Sequence, residues 1–190
     1  MREPRFHARG GQGTVIASKI LAVALFREGR QVQSFPAFGV ERRGAPVTAF
    51  LRVAQGPILL RCEITEPDDV VVLDSTLIGA VDVTAGLKRG GSILINSPRS
   101  AAQYPDLAAR FRVATVDASG IARRFDLGSK TQPIVNTAIL GAFEFSGLVA
   151  LESVCQAIRD EVPSKAEENM QAARAAAEAV LKAQAEVLHV

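Results

Sequence analysis

The sequence predicts an α/β fold of three layers, in which a mostly parallel sheet carries helices on both faces and further helices at the C-terminus. Short apolar runs with strand spacing recur through the first two thirds of the chain, and amphipathic helical patterns fill the last third. The length of 190 residues and the hydrophobic content of 48% suit one domain with a substantial core. We therefore expect residues 1–190 to form a single domain.

The first predicted unit is a strand, a glycine turn, a helix and a second strand. A strand at residues 5–8 leads into the turn RGGQG at 9–13, whose glycines permit backbone angles that regular structure excludes. A helix is predicted at 14–28, with Gly29 as its end, and a strand at 31–35. The apolar residues expected on the buried face of the helix are Ile16, Ile20, Val23 and Ala24.

The middle of the chain reads as strands. They are predicted at residues 47–53, 58–64, 70–73, 93–95 and 112–116. The segment 58–64 is expected to pair with 47–53, because a Gly-Pro turn separates the two. The continuous apolar runs 70–73 and 93–95 are typical of buried central strands.

The C-terminal third reads as helices. They are predicted at 134–145, where Gly147 follows as the end, at 151–161, and from Ser164 onward, where Glu167 completes a capping box. The last helix has a narrow stripe of small apolar residues, which suits close packing on another surface. The stripe consists of Met170, Ala173, Ala177 and Val180.

Charge and cysteine content give no support to several classes of function. The formal net charge is only +2 with both signs mixed along the chain, which gives no indication of nucleic-acid binding or membrane-surface binding. Cys62 and Cys155 are too few for an iron–sulfur cluster, which takes about four thiolates, and we expect both to be buried free thiols. No apolar run reaches the ~18 residues of a membrane span and no signal-peptide pattern is visible, so we expect a cytoplasmic protein.

The glycine turn is the first candidate site. A glycine turn that opens a helix presents free backbone N–H groups and the positive end of the helix dipole, which suits a phosphate, and Arg9 adds positive charge. The turn departs from the dinucleotide fingerprint, because Ile16 stands where its last small residue belongs. The alternative is a tight turn without a ligand. The candidate residues are Gly10, Gly11, Gln12 and Gly13.

The second candidate is the loop GVERRGAP at residues 39–46. Its outer spacing is that of a P-loop, but Ala and Pro replace the Lys and Ser/Thr, which argues against a nucleotide hydrolase. Arg42 and Arg43 could bind a phosphate or a carboxylate through paired N–H groups.

Alternatively, the same loop forms a subunit interface. Glu41 and the two arginines would then make salt bridges to a partner, and Phe35 and Phe38 would be aromatic anchors. Together with the small-residue C-terminal helix, these two phenylalanines are the surface that we expect to meet other subunits.

Catalysis by this chain alone is not indicated. His7 is expected to be buried in its strand, and His189 is close to the end of the sequence. Asp74 and Asp117 each follow a predicted strand, where open α/β sheets bind ligands, but each could instead cap the following helix. We assign no catalytic residue and no metal site.

The turn RGGQG at residues 9–13 and the segment FPAFGVERRGAPV at 35–47 together resemble the gamma subunit of pyruvate and related 2-oxoacid:ferredoxin oxidoreductases. The segments VLD at 72–74, NTAILGA at 136–142 and KAEEN at 165–169 are similar to further motifs of that family, so the resemblance spans nearly the whole chain. The small subunit of indolepyruvate oxidoreductases shares the turn but differs in the loop, so it ranks second.

The resemblance implies a subunit that is not catalytic alone. In such a complex a 2-oxoacid is oxidatively decarboxylated with thiamine diphosphate and Mg held by alpha and beta subunits. Electrons pass through iron–sulfur clusters on a delta-type or other partner to ferredoxin or an NAD-linked acceptor, and an acyl-CoA is released. The choice among pyruvate, 2-oxoglutarate, branched-chain and aromatic 2-oxoacids is left to the catalytic subunits.

The resemblance also implies that the gamma chain binds no cofactor by itself and lies beside the route of coenzyme A, the co-substrate. Our hypothesis is that the glycine turn, Arg42 and Arg43 contribute to the coenzyme A region or its subunit seam. A stand-alone nucleotide-binding module is the alternative from a different class. It rests on the glycine turn alone and predicts a monomer that binds a nucleotide.

Overall fold

The structure, a computed structural model, describes residues 1–37 and 43–188. Its strands are β1 (Pro4–Arg9), β2 (Gln31–Pro36), β3 (Pro46–Ala54), β4 (Asp69–Val72), β5 (Ser92–Asn96) and β6 (Arg112–Val116). Its α-helices are α1 (Thr14–Arg27), α2 (Pro105–Ala108), α3 (Ala118–Arg124), α4 (Asn136–Ala142), α5 (Leu151–Glu161) and α6 (Ala166–Leu188). Short 3-10 turns lie at Ser75–Leu77, Ala101–Gln103 and Phe143–Ser146.

The six strands form one sheet in the order β2-β3-β1-β4-β5-β6. The strands β1, β4, β5 and β6 are parallel, whereas β3 pairs antiparallel with both β1 and β2. The predicted mostly parallel α/β fold is confirmed. The predicted central strands β4 and β5 are fully buried, as their continuous apolar runs indicated.

The two faces of the sheet are covered differently. On one face, which we call the helical face, Phe6, Leu51 and Leu94 belong to the core that the sheet shares with α1, α3, α4, α5 and α6. On the other, the loop face, Val72 and Ile95 pack against α2 and the irregular segment 77–87. Helices therefore lie on both faces, but α2 on the loop face has only four residues.

The stripe of small residues on α6 is buried as predicted, but it packs against other helices of the same chain. Its residues pack on α4, where a Cβ at Gly141 would collide with the backbone carbonyl of Ala173. Thr137 of α4 donates a hydrogen bond to Asn169 Oδ1 of α6 at 2.6 Å. The expectation that this stripe faces other subunits is therefore wrong, because its residues belong to the core of this chain.

The predicted strand at 58–64 is wrong. The strand β3 lies between β1 and β2, so neither of its edges is free to accept another strand. The guanidinium of Arg52 instead donates to the carbonyl oxygen of Cys62 at 2.7 Å and fixes the segment as a loop. Cys62 is exposed in that loop, which corrects the expectation of two buried thiols, whereas Cys155 is buried.

Three helical predictions change in detail. The last helix begins at Ala166, so Ser164 lies outside it and makes no capping box there. The helix predicted at 134–145 starts at Asn136 and ends in a 3-10 turn before Gly147, whose left-handed backbone confirms the predicted stop. Ile16 is 53% exposed instead of buried, although Thr14 and Ala17 beside it are buried. Among the described helices, none is both long and apolar enough to cross a bilayer.

Candidate functional site

A cleft opens where the carboxyl ends of β1 and β4 meet. The chain leaves β1 through α1 to the helical face and leaves β4 toward the loop face. Neighbouring parallel strands whose connections diverge in this way leave a crevice at their carboxyl ends, which is where open α/β sheets bind ligands. The described residues enclose about 1080 Å³ there, between the glycine turn, the ends of β4, β5 and β6, and segment 128–136.

The glycine turn forms one wall of this cleft. Gly13 has φ 76° and is the N-terminal cap of α1, and the first helical bond runs from Ala17 N to Gly13 O at 2.9 Å. The amides before Ala17 therefore point out of the helix end. A Cβ at Gly13 would lie 2.6 Å from Asn136 Nδ2, so glycine is required both by its backbone angle and by this neighbour.

The Gln12 side chain fastens the turn to the next strand. Its Oε1 accepts a hydrogen bond from Arg9 N at 2.8 Å, and its Nε2 donates to Asp74 Oδ2 at 2.9 Å. The amide group is thus engaged inside the protein, and it holds the loop after β1 against the end of β4.

Asp74 is held as a structural anion. Its Oδ1 accepts from Thr76 N at 3.0 Å, which confirms the helix-cap interpretation. Burial acts to raise the pKa of Asp74, but hydrogen bonds from Thr76 and Gln12 and the charge of Arg9 outweigh it, so the pKa lies below its usual value. Arg9 lies 3.4 Å from Asp74 Oδ2, and the aspartate stays ionised at neutral pH.

The two candidate motifs of the sequence meet in one site. Gly10 N donates to Ala45 O at 2.8 Å, and Gly44 N donates to Gly10 O at 3.1 Å. These bonds place Arg43 in the wall of the cleft beside the turn. The Arg43 guanidinium donates to Gln132 Oε1 at 2.9 Å and is exposed. Phe38, Glu41 and Arg42, which the sequence also predicted for this site or its interface, lie outside the described residues.

Phe35 packs within the domain. Its ring lies 5.2 Å from that of Phe50, and the Arg52 guanidinium lies 5.3 Å above it. The side chain is half-buried on the loop face. Its role as an interface anchor stays a prediction.

The far wall consists of polar side chains that bind one another. Asn96 Nδ2 donates to Leu73 O at 2.8 Å and to Ser119 Oγ at 2.9 Å. Asp117 accepts from Gly120 N at 2.7 Å and caps α3, as the second interpretation of this residue predicted. These groups shape the cleft and leave no pair arranged for proton transfer among them.

Segment 128–136 supplies residues that sequence reasoning did not assign to a site. Asn136 is 5% exposed and lines the cleft, and Gln132 bonds to Arg43. The only signal for Asn136 was its place in the segment NTAILGA. Ile134 is exposed at the rim, on the same cleft as Ile16, so the two form an apolar edge.

Metal ligands are sparse in the part of the chain that the structure describes. Within residues 1–37 and 43–188, no three His, Cys, Asp or Glu side chains come together as a metal site. The exposed Cys62 and the buried Cys155 lie on different elements of the fold.

Comparison with known proteins extends over nearly the whole chain. The family model for pyruvate ferredoxin/flavodoxin oxidoreductase matches residues 3–179. The pyruvate/ketoisovalerate oxidoreductases common subunit gamma of Thermococcus kodakarensis is 54% identical over 163 residues, which cover 84% of this chain and 86% of that protein. Pyruvate synthase subunit PorC of Methanocaldococcus jannaschii is 48% identical over 184 residues, which cover 96% and 98%.

Solved structures share the fold. Pyruvate oxidoreductase subunit PORC of Thermotoga maritima aligns with a TM-score of 0.77 and 32% identity, over 93% of this chain and 95% of that one. A 2-oxoglutarate:ferredoxin oxidoreductase of Magnetococcus marinus, solved with 2-oxoglutarate, coenzyme A and succinyl-CoA, aligns with a TM-score of 0.72 at 18% identity. That alignment covers 94% of this chain but 31% of the larger one, and it supports the fold alone.

Proposed function

Because this chain belongs to the pyruvate ferredoxin/flavodoxin oxidoreductase family, as a gamma subunit, we propose that its cleft forms part of the coenzyme A region of the assembled enzyme. The chain is a subunit of a pyruvate or related 2-oxoacid:ferredoxin oxidoreductase, as the sequence motifs predicted. The comparisons favour this assignment over the indolepyruvate subunit and over the stand-alone nucleotide-binding module.

One observation carries the proposal. A single cleft at the carboxyl ends of β1 and β4 is lined by the N-terminal end of α1 and by two arginines, Arg9 and Arg43. Free amides at a helix N-terminus and arginine side chains are the groups that bind phosphates in proteins. Coenzyme A presents a diphosphate and a further phosphate, and the fold relative from Magnetococcus marinus was solved with coenzyme A.

Arg43 is the residue best suited to exchange partners. Its guanidinium is exposed and donates to the neutral amide of Gln132. A guanidinium and a phosphate attract each other as opposite charges and can pair through two N–H groups, whereas the amide of Gln132 carries no charge. Binding of a phosphate at this wall would therefore displace Gln132, while Arg9 stays bonded to Thr76 and Gly44.

The reaction is divided between subunits in this proposal. Thiamine diphosphate with Mg on alpha and beta subunits would supply the decarboxylation chemistry, and iron–sulfur clusters on a delta-type partner would take the electrons. Two cysteines cannot provide the about four thiolates of such a cluster. In this proposal the residues of this chain bind the phosphate end of coenzyme A.

Choice of the 2-oxoacid belongs to the partner subunits in this proposal. The Thermococcus relative is described as a gamma subunit common to pyruvate and ketoisovalerate oxidoreductases. A subunit shared by two enzymes cannot select between their substrates, and we propose the same division for this chain. Its cleft would recognise the co-substrate that all such enzymes have in common.

Replacement of Arg43 by Ala in the assembled complex is expected to raise the KM for coenzyme A at least about ten-fold, because one charge-assisted bond contributes roughly 1.5–3 kcal/mol. The kcat at saturating coenzyme A and the KM for the 2-oxoacid should stay unchanged. Steady-state kinetics with coenzyme A as the varied substrate measures the effect.

The matched control is Arg89→Ala, an exposed arginine that precedes β5 at the opposite end of the sheet. Equal KM values for coenzyme A in the wild type and in both variants, with the complex intact, would refute the ligand part of the proposal. Loss of assembly in Arg43→Ala alone would instead favour the interface alternative.

Native purification through a tag on this chain tests the partners. We expect larger subunits to co-purify, together with thiamine diphosphate and the brown absorbance of iron–sulfur clusters. The purified complex should oxidise a 2-oxoacid in the presence of coenzyme A and ferredoxin. Mass spectrometry of the intact complex identifies the chains. A colourless 20.2 kDa monomer from a native source would contradict the proposed assembly.

A further inference from the structure

Asn136 is a buried polar residue in the cleft that the proposed function does not yet use. Its Oδ1 accepts a hydrogen bond from Thr137 N at 2.9 Å. Only the oxygen of an amide can accept from an N–H group, so this bond fixes the amide orientation and leaves Nδ2 on the other side. That nitrogen lies against Gly13, at the point where α1 begins.

The two N–H donors of Asn136 Nδ2 have no acceptor among the described residues. The Asn136 residue as a whole is only 5% exposed. The Nδ2 atom is not among the fully enclosed polar atoms without a partner in the described residues, so it is open to the cleft. The residue lines the cleft, so a ligand oxygen beside the glycine turn would satisfy this donor.

A second pair of buried side chains holds Asn136 in place. Thr137 Oγ1 donates to Asn169 Oδ1 at 2.6 Å, and Asn169 Nδ2 donates to Lys165 O at 2.7 Å. Thr137 and Asn169 are buried at the contact between α4 and α6. The start of α4, and with it the Asn136 amide, is thereby locked to the start of α6.

We propose that Asn136 is a binding residue of the cleft, whose Nδ2 donates to a phosphate oxygen of coenzyme A at the end of α1, and that Thr137 and Asn169 are its positioning residues. The inference rests on the proposed function and deepens it, because it adds a neutral donor to the cleft that Arg43 also lines. A neutral amide donates to an anion without requiring a counter-charge when the cleft is empty.

The test uses Asn136→Asp in the assembled complex. Aspartate has nearly the same shape but replaces the Nδ2 donor by an oxygen and adds negative charge, so it repels a phosphate. We expect the KM for coenzyme A to rise at least about ten-fold, with the KM for the 2-oxoacid and the kcat at saturating coenzyme A unchanged. Asn136→Ala, which removes the donor without a charge, should show a smaller rise and carries the test if the aspartate variant does not assemble.

Thr137→Val and Thr137→Ser separate positioning from packing. The valine variant loses the hydrogen bond to Asn169. It should raise the KM for coenzyme A about three-fold, as expected for a bond worth about 0.5–1.5 kcal/mol. The serine variant keeps the hydroxyl, and its KM should match that of the wild type. Equal KM values for valine and serine would overturn the positioning role.

The outcomes distinguish this inference from the proposed function. If Arg43→Ala raises the KM for coenzyme A and both Asn136 variants leave it unchanged, the role of Asn136 is refuted and the proposed function stands. If neither Arg43 nor Asn136 affects that KM in intact complexes, both fail together.

Discussion

The substitution Gly141→Ala is expected to destabilise the subunit by about 3 kcal/mol, although alanine favours helices by about 1 kcal/mol over glycine. Gly141 lies in α4 where α6 crosses it, and an added Cβ would meet the backbone carbonyl of Ala173 and lie 2.6 Å from its Cα. Backbone atoms cannot rotate away as a side chain can. The two helices would have to separate, which opens the core that they share.

Guanidinium unfolding of the purified subunit measures this change. The matched control is Gly56→Ala, since a Cβ there meets nothing within 4 Å. Its free energy of unfolding should stay within about 0.5 kcal/mol of the wild type. A Gly141→Ala variant as stable as this control would show that α4 and α6 separate at little cost.

The strands and long helices were predictable because their signals are local. The alternation and apolar runs of β3, β4 and β5 and the periodic stripe of α6 depend only on neighbours within a few residues. The false strand at 58–64 has the same local pattern. It fails because β3 already has a partner on each edge, and strand order is a property of the whole sheet.

The candidate site was predictable in parts but not as a whole. The glycine turn and the arginine loop were identified separately, and the bonds from Gly10 to Ala45 and Gly44 that join them follow from the pairing of β1 with β3. Asn136 comes from a distant helix, and no pattern of spacing connects it to Gly13. Long-range packing brings them together.

The C-terminal family motifs have a structural explanation. In NTAILGA, Thr137 bonds to Asn169 of the KAEEN segment, and Gly141 permits the close approach of α6. These residues join two helices below the cleft. Asn136 is the member of these segments that lines the cleft, which separates its role from that of its neighbours.

Acidification is expected to destabilise this subunit through His7, by about 2 kcal/mol between pH 7 and pH 5. His7 is 8% exposed on the loop face, and no described residue accepts or donates at its Nε2. Burial, followed by the charge of Arg5, lowers the pKa of His7 from 6.5 to about 4, against a weaker opposing effect of Asp82. The folded protein therefore holds the imidazole neutral, while the unfolded chain binds a proton near pH 6.5.

The direction of this effect follows from proton binding. Between pH 6.5 and about 4 the unfolded state holds more protons at His7, so stability is complete above that window and falls as the pH falls through it. His7→Leu removes the titrating group, so the difference between wild type and variant isolates it from the carboxylates that both share. Unfolding free energies at pH 7 and pH 5 should diverge by about 2 kcal/mol. Parallel pH profiles for the two proteins would mean that the imidazole is solvated, or paired with an acid, in the folded state.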